Sequence, residues 1–157
     1  MKILILGDSH DSLWPDFFQH LKDRGAERIL HLGDVCSRQV LNRFEEIAPV
    51  LAVRGNNDGS LRDLPAERLF RLEGVCFYMI HDRRKARRKP EEYDLMLFGH
   101  THRFEEGIRR DRPYLNPGSC GRRRADDSVS YVEMEIAGGV YQYRHRTFTP
   151  ERTLRPS

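Results

Sequence analysis

Short apolar runs that stop at a glycine and then an acid, an amide or a histidine punctuate this chain, and they constrain its fold more than any other feature. Lys2-Ile3-Leu4-Ile5-Leu6 meets Gly7-Asp8-Ser9-His10, and Arg28-Ile29-Leu30-His31-Leu32 meets Gly33-Asp34. Val50-Leu51-Ala52-Val53 then runs into Gly55-Asn56-Asn57-Asp58-Gly59. Runs this short without polar alternation fit strands covered on both faces. After the first run, Trp14, Phe17, Phe18 and Leu21 recur at helical spacing, with Pro15 tolerated in the first turn and Gly25 as a stop. After the second, Ser37 reads as the cap of a helix whose Val40, Leu41, Phe44 and Ile47 share one face, closed by Pro49. Two such βα units with short connections predict a parallel region, in which right-handed crossovers bring the strand ends to a common edge.

Beyond residue 65 the pattern turns to strands. Leu69 to Leu72 and Val75 to Ile80 flank the turn-like pair Glu73-Gly74, and Leu95 to Phe98 enters Gly99-His100. Arg112 to Leu115 is closed by Asn116-Pro117-Gly118-Ser119. Val129 to Ile136, Gly138-Gly139 and Val140 to Phe148 read as an antiparallel hairpin, with Val132, Met134 and Ile136 on one face of the first strand and Tyr141, Tyr143 and His145 on one face of the second. No stretch rich in Pro, Gly or Ser divides the 157 residues, so a single domain over 1–150 with a short tail at 151–157 is expected. A hydrophobic share of 38% beside 32% charged residues excludes wholesale disorder. Cys36, Cys76 and Cys120 stand far apart, and no apolar stretch approaches the length of a membrane span or a secretory signal. The expected setting is a reducing cytoplasm, away from membranes.

The chemistry lies where the runs end. Asp8 with His10, Asp34, Asn56 with Asp58, His81, and His100 with His102 each follow a strand, at the edge where ligand sites gather in open sheets. Each item alone is a common turn; the conjunction is a mixed set of carboxylate, amide and imidazole donors. With an extended Thr101 the imidazoles of His100 and His102 leave on the same side. Such donors suit Mn, Fe, Co, Ni or Zn, and the absence of cysteine among them argues against a thiolate zinc site. Six donors plus one bridging acid exceed the needs of one ion. Two divalent ions about 3.5 to 4 Å apart, sharing a carboxylate and a hydroxide, form a site for in-line displacement at phosphorus.

These residues resemble the calcineurin-like metallophosphoesterase superfamily, and within it the small bacterial and archaeal phosphodiesterases related in fold to the retromer scaffold subunit. The blocks Asp8-Ser9-His10, Gly33-Asp34, Gly55-Asn56-Asn57-Asp58, His81, Gly99-His100-Thr101-His102 and Asn116-Pro117-Gly118-Ser119 occur in order across residues 2 to 148. The resemblance implies an α/β, four-layer fold in which two mixed β-sheets pack as a sandwich with flanking helices, often as a homodimer or higher oligomer. It implies Asp8, His10 and His102 on one ion, Asn56, His81 and His100 on the other, and Asp34 between them, with manganese foremost. A small phosphate ester is the implied substrate, with diesters ahead of monoesters and a metal-bridging hydroxide as nucleophile. Asp34, Asn57 and Asp58 are the residues expected at or next to the reacting centre, Asp58 as a turn or supporting carboxylate. Two departures stand out. Asn57 occupies a position where many relatives carry histidine, and an amide cannot replace imidazole as a proton donor. Asp82 follows His81 where glycine is usual, and would either repel phosphate or orient His81.

The formal net charge of +3 is unevenly placed: Arg83, Arg84, Lys85, Arg87, Arg88 and Lys89 crowd one segment, and Arg122 to Arg124 form a second run. These are solvated loops or a polyanion clamp. The rivals to a phosphoesterase are therefore a non-catalytic metal-binding scaffold of the same fold and a nuclease gripping nucleic acid through Arg83 to Lys89. The lack of an aromatic residue inside that run counts against a base-stacking platform.

Overall fold

The two faces of the first strand set the layering. In a computed structural model that describes residues 1–121 and 128–151, β1 (Lys2–Leu6) turns Leu4 and Leu6 toward the helices and Ile3 and Ile5 toward a second sheet. It is followed by α1 (Pro15–Asp23), β2 (Arg28–His31), α2 (Arg38–Glu45) and β3 (Val50–Ala52). Then come β4 (Glu67–Leu72), β5 (Val75–Ile80), β6 (Leu95–Leu97), β7 (Phe104–Arg109), β8 (Arg112–Pro117), β9 (Val129–Ala137) and β10 (Val140–Phe148). The strands form two five-stranded sheets, ordered β10-β9-β1-β2-β3 and β4-β5-β6-β8-β7. Both are mixed: β1, β2 and β3 run parallel while β9 joins β1 antiparallel, and β5, β6 and β8 run parallel between antiparallel edges. The Arg122 to Arg124 run and the tail beyond residue 151 lie outside the described residues.

Helix α1 starts with Pro15 in its first turn, and α2 starts where the Ser37 hydroxyl accepts the Val40 N–H. Phe17, Phe18 and Leu21 are buried, at about 2 kcal/mol for each side chain. That outweighs the partly exposed Arg24–Glu133 pair at the C-terminal end of α1, worth about 1 kcal/mol. Between the sheets, Ile3, Ile5, Leu30, Phe77, Met79 and Leu97 meet Val132, Met134 and Ile136. Beyond the second sheet the covering layer is thin: two 3-10 turns, at Arg83–Lys85 and Pro90–Glu92, overlie Cys76, Tyr78, Ile80, Tyr93 and Phe98. The flanking helices of the expected sandwich are α-helices on one side only.

Three two-residue hairpin turns share one backbone signature. Glu73-Gly74, Arg110-Asp111 and Gly138-Gly139 have positive φ at both central residues, the form whose twist matches that of the strands it joins. The first and third also meet, because Gly139 N–H donates to the Glu73 carbonyl at 2.8 Å. This pins the two sheets together at the end opposite the donor-bearing strand ends. The second turn explains a strand that the sequence hides. Phe104–Arg109 is an edge strand with little buried surface, and its turn uses Arg-Asp in place of the glycine or asparagine that marks such hairpins.

Candidate metal centre

The C-terminal ends of β1, β2, β3, β5 and β6 converge, and backbone hydrogen bonds hold the loops side by side as they leave the sheets. Asp8 N–H donates to the Gly33 carbonyl at 3.0 Å, His10 N–H to that of Asp34 at 2.7 Å, and Gly99 N–H to that of His81 at 3.0 Å. Asp8, His10, Asp34, His100 and His102 all have φ between 51° and 74°. Among the described residues, the only other non-glycine residues with positive φ are Cys36, in the same loops, and the hairpin positions. Left-handed backbone at Asp or His costs free energy, so its concentration here marks a site whose surroundings enforce it. It also replaces the extended backbone expected around Thr101: His100 packs edge-on against His81, ring centroids 5.2 Å apart, while His102 faces His10. The two imidazoles serve different neighbours.

One donor cluster results, with His81 and His100 beside it. Asp8, His10, Asp34 and His102 each bring one ligand-type atom within 4.8 Å of all the others. Within that group His10 Nε2 and His102 Nε2 are 3.3 Å apart, and His102 Nε2 is 3.6 Å from Asp8 Oδ1. On the other side, His81 Nε2 lies 3.4 Å from Asp34 Oδ2 and 3.9 Å from Asp8 Oδ1, with His100 beside it. Asn56 is exposed and shares a cavity of ≈ 450 Å³ with His81, Lys85 and Arg87. Its link to the site runs through that cavity and not through a hydrogen bond to Asp34.

A cation fits these donors. His81 Nδ1 donates to the Leu32 carbonyl at 2.7 Å, so a neutral ring turns its Nε2 lone pair toward the carboxylates, as metal-ligating histidines require. Without metal, burial lowers the pKa of this ring, but Asp34 and Asp8 outweigh it, raise the pKa and favour the protonated form. Asp8 Oδ1 and that Nε2 are both buried with no hydrogen-bond partner. Buried polar atoms left this way are costly unless something absent from the polypeptide satisfies them. Burial pushes the Asp8 carboxyl up to about 7, against the weaker pull of His81 and the His100 N–H. Burial acts on Asp34 too, but His81 and the Asn57 backbone and side-chain N–H groups outweigh it and hold this carboxyl well below the usual range. One acid is thus costly to ionise, and the other is fixed as an anion that also faces His81.

The supporting residues explain why neighbouring positions are small or polar. Asp58 is fully buried, and its carboxylate accepts three backbone N–H groups, from Asp34 at 2.8 Å, Gly55 at 2.7 Å and Cys36 at 2.7 Å. It ties the Asp34 and Gly55 loops together. A Cβ on Gly55 would fall 2.3 Å from Asp34 Oδ1, and one on Gly33 would fall 2.7 Å from His81 Nδ1. Asn116 donates to the Gly99 carbonyl and the Thr101 hydroxyl, and the Ser119 hydroxyl donates to the Asp8 carbonyl. The segment Asn116 to Ser119, which is the end of β8 and the loop after it where the sequence suggested a turn, therefore braces the loops of Asp8 and His100. Asp82 neither orients His81 nor faces the site with an unpaired charge. Its carboxylate binds the Arg84 guanidinium and backbone N–H, which hold its pKa down at about 2. The basic run is not one clamp. Lys85 and Arg87 line the cavity with Asn56 and His81, whereas Arg83, Arg84 and Arg103 line a cleft with His100.

Sequence reasoning passed over Cys36, whose sulfur lies 3.6 Å from His10 Nδ1, and His31. The signal for His31 was a histidine inside an otherwise apolar strand. Its Nδ1 accepts the Gly33 N–H at 3.1 Å and its Nε2 meets the Ser9 hydroxyl at 2.9 Å, so the neutral ring links two donor-bearing loops. Complete burial lowers its pKa to about 4 from 6.5. The unfolded chain takes up the proton first, so the contribution of His31 is whole above pH 6.5 and lost as pH falls from there to 4. In urea titrations of metal-free protein, the stability advantage of wild type over His31→Gln should shrink by about 3 kcal/mol across that window. Parallel pH curves for the two proteins would disprove this role.

Comparison with known proteins agrees with this geometry. Residues 1–139 match the calcineurin-like phosphoesterase superfamily domain. A phosphodiesterase of Methanocaldococcus jannaschii is 32% identical over 143 residues, covering 76% of this chain and 84% of that protein. A probable metallophosphoesterase of Methanothermobacter thermautotrophicus is 30% identical over 149 residues, covering 84% and 87%. The crystal structure of Vps29 from Chaetomium thermophilum superimposes with a TM-score of 0.74 at 20% identity, covering 96% of this chain and 98% of that one, a likeness of fold. With its two mixed sheets and its cluster of Asp8, His10, Asp34 and His102, the chain belongs to the calcineurin-like phosphoesterase superfamily, and its site is that of a metal-dependent phosphoesterase.

Proposed function

We propose that the site holds two divalent cations, manganese foremost, and hydrolyses phosphodiesters. The observation that carries this reading is the position of Asp34: it belongs to the four-donor group, and its Oδ2 is also 3.4 Å from His81 on the other side. Asp8, His10 and His102 would hold one ion, Asn56, His81 and His100 the other, and Asp34 both. When bound, the ions supply an activated water as nucleophile and neutralise charge that develops on the phosphoryl oxygens. Leu32, through its carbonyl, keeps His81 in the ligating tautomer, and Asp58 keeps the Asp34 and Asn56 loops at a fixed separation. Lys85 and Arg87 beside His81, and Arg83 and Arg103 beside His100, supply positive charge on both flanks for the substrate's non-reacting oxygens.

Asn57 shapes the expected specificity. It is exposed, with its amide donating to Asp34 Oδ2, and it offers no titratable proton to a departing alkoxide. Leaving groups that need no protonation should therefore react best. In a series of aryl and alkyl diesters with Mn-loaded protein, kcat/KM should fall steeply as the leaving group becomes more basic. Asn57→His should raise the poorest esters by about a hundredfold, the usual contribution of a positioned acid, and flatten the series. Monoesters cleaved faster than diesters would refute the substrate class. Full loading with two ions and no hydrolysis of any ester, across Mn, Fe, Co, Ni and Zn, would refute the catalytic reading in favour of a scaffold.

A further inference from the structure

Behind the thin outer layer of the second sheet runs a furrow that the metal chemistry does not use. Tyr93, Met96 and Tyr114 contribute to its floor, and its volume is ≈ 410 Å³. Among the described residues, six arginines line it, Arg83, Arg84, Arg88, Arg109, Arg110 and Arg112, and no carboxylate does. Arg83 and Arg84 also line the cleft that contains His100, so furrow and cleft adjoin at these two side chains.

Three of the six guanidinium groups have structural work. Arg84 binds Asp82, Arg88 divides between Glu67 and Glu92, and Arg112 donates to the carbonyls of Pro90 and Tyr93. Arg83 lies over the rings of Phe98 and Tyr114, 5.4 and 5.6 Å from their centroids. Among the described residues, no acid pairs with Arg83, Arg109 or Arg110. These three guanidinium groups line one furrow, and a polyanion would neutralise their charge. Their planar forks match phosphate oxygens two at a time, and arginine over tyrosine presents a face on which a base can stack. The absence of aromatics within Arg83 to Lys89 does not decide the matter, because the fold delivers Tyr93 and Tyr114 from other segments.

We propose that this furrow is a subsite for the phosphate chain of a single-stranded oligonucleotide whose scissile diester lies at the metal centre. The adjacency of the furrow to a phosphoesterase cleft, with Arg83 and Arg84 common to both, favours phosphate over an acidic peptide as the occupant. The proposal rests on the phosphodiesterase reading above, and binding and turnover test the two separately.

Binding is measured with metal-free protein in EDTA, using the fluorescence anisotropy of a fluorescein-labelled oligothymidylate over a salt series. Arg109→Gln/Arg110→Asn keeps a residue tolerant of positive φ in the hairpin turn, and should weaken binding tenfold or more. It should also reduce the slope of log Kd against log salt by about 1.4, or about 0.7 for each phosphate that is no longer neutralised. Arg83→Gln, on a different segment, should act in the same direction. In Mn-loaded protein, the ratio of kcat/KM for the oligothymidylate to that for thymidine 5′-p-nitrophenyl phosphate should fall about tenfold in the double variant. Unchanged affinity and slope in both variants, or a polyglutamate of equal charge binding as tightly, would overturn the subsite. A salt-dependent affinity that the variants weaken, in a protein that hydrolyses no diester, would uphold the furrow and overturn the phosphodiesterase reading.

Discussion

Asp34→Asn should lower phosphodiester hydrolysis by about a thousandfold or more at saturating Mn, which corresponds to about 4 kcal/mol of barrier. The substitution keeps size and backbone preference, and removes the charge together with one of the two acceptors that Asn57 uses. Asparagine tolerates the φ of 59° at this position, and its carboxamide oxygen still accepts an N–H from Asn57. The backbone N–H of residue 34 remains on Asp58. The metal-free variant should therefore fold with wild-type secondary structure, so that lost activity reports the lost charge. Asp34 is the acid whose environment holds it ionised, and the one that belongs to the four-donor cluster while also facing His81. Elemental analysis after gel filtration should show metal content falling from about two ions per chain to one or fewer. Activity within tenfold of wild type would remove Asp34 from the centre of the mechanism.

Much of this arrangement was legible in the sequence because strand ends are easy to read. Ile3 to Leu6, Ile29 to Leu32 apart from His31, and Val75 to Ile80 are apolar on both faces, and the residue at which each run stops is where the chain leaves the sheet. Asp8, Asp34 and His81 follow from that alone. What was hidden has a common physical cause: it depends on groups far apart in the chain. β7 is an edge strand whose polar side chains carry no burial signal and whose turn has no glycine. The bracing role of Asp58 consists of bonds to the backbone of residues 34, 36 and 55, which no side-chain pattern encodes. His100 and His102 looked like one extended pair, and only their left-handed backbone sends them to opposite neighbours. The basic run looked like one surface, and the 3-10 turn capped by Asp82 divides it between two.

The left-handed backbone of the donors and the burial of Asp8 and Asp34 imply that the site is built at the expense of the metal-free fold, and Asp8→Asn exposes this. Asp8 is fully buried, and in the folded chain its pKa stands at about 7 against 3.8 unfolded. A carboxylate whose pKa is raised by folding weakens the native state wherever it must ionise. The penalty is whole above pH 7 and disappears as pH falls from about 7 to about 4, because the folded form then takes up the proton first. Asparagine keeps the backbone conformation and the acceptor for the His100 N–H, and it removes the buried charge. Metal-free Asp8→Asn should therefore be more stable than metal-free wild type by about 2 kcal/mol at pH 8, less than the full shift implies because the attraction of His81 is lost as well. The advantage should vanish near pH 4. Excess Mn should reverse the order, since a ligand at about a hundred times its Kd stabilises by about 2.7 kcal/mol and the variant lacks the charge that binds it. Melting curves of both proteins at pH 8 and pH 4.5, with EDTA and with Mn, test every sign in this argument. A variant less stable than wild type in EDTA at pH 8 would show that Asp8 is a structural acid and not one retained for a cation.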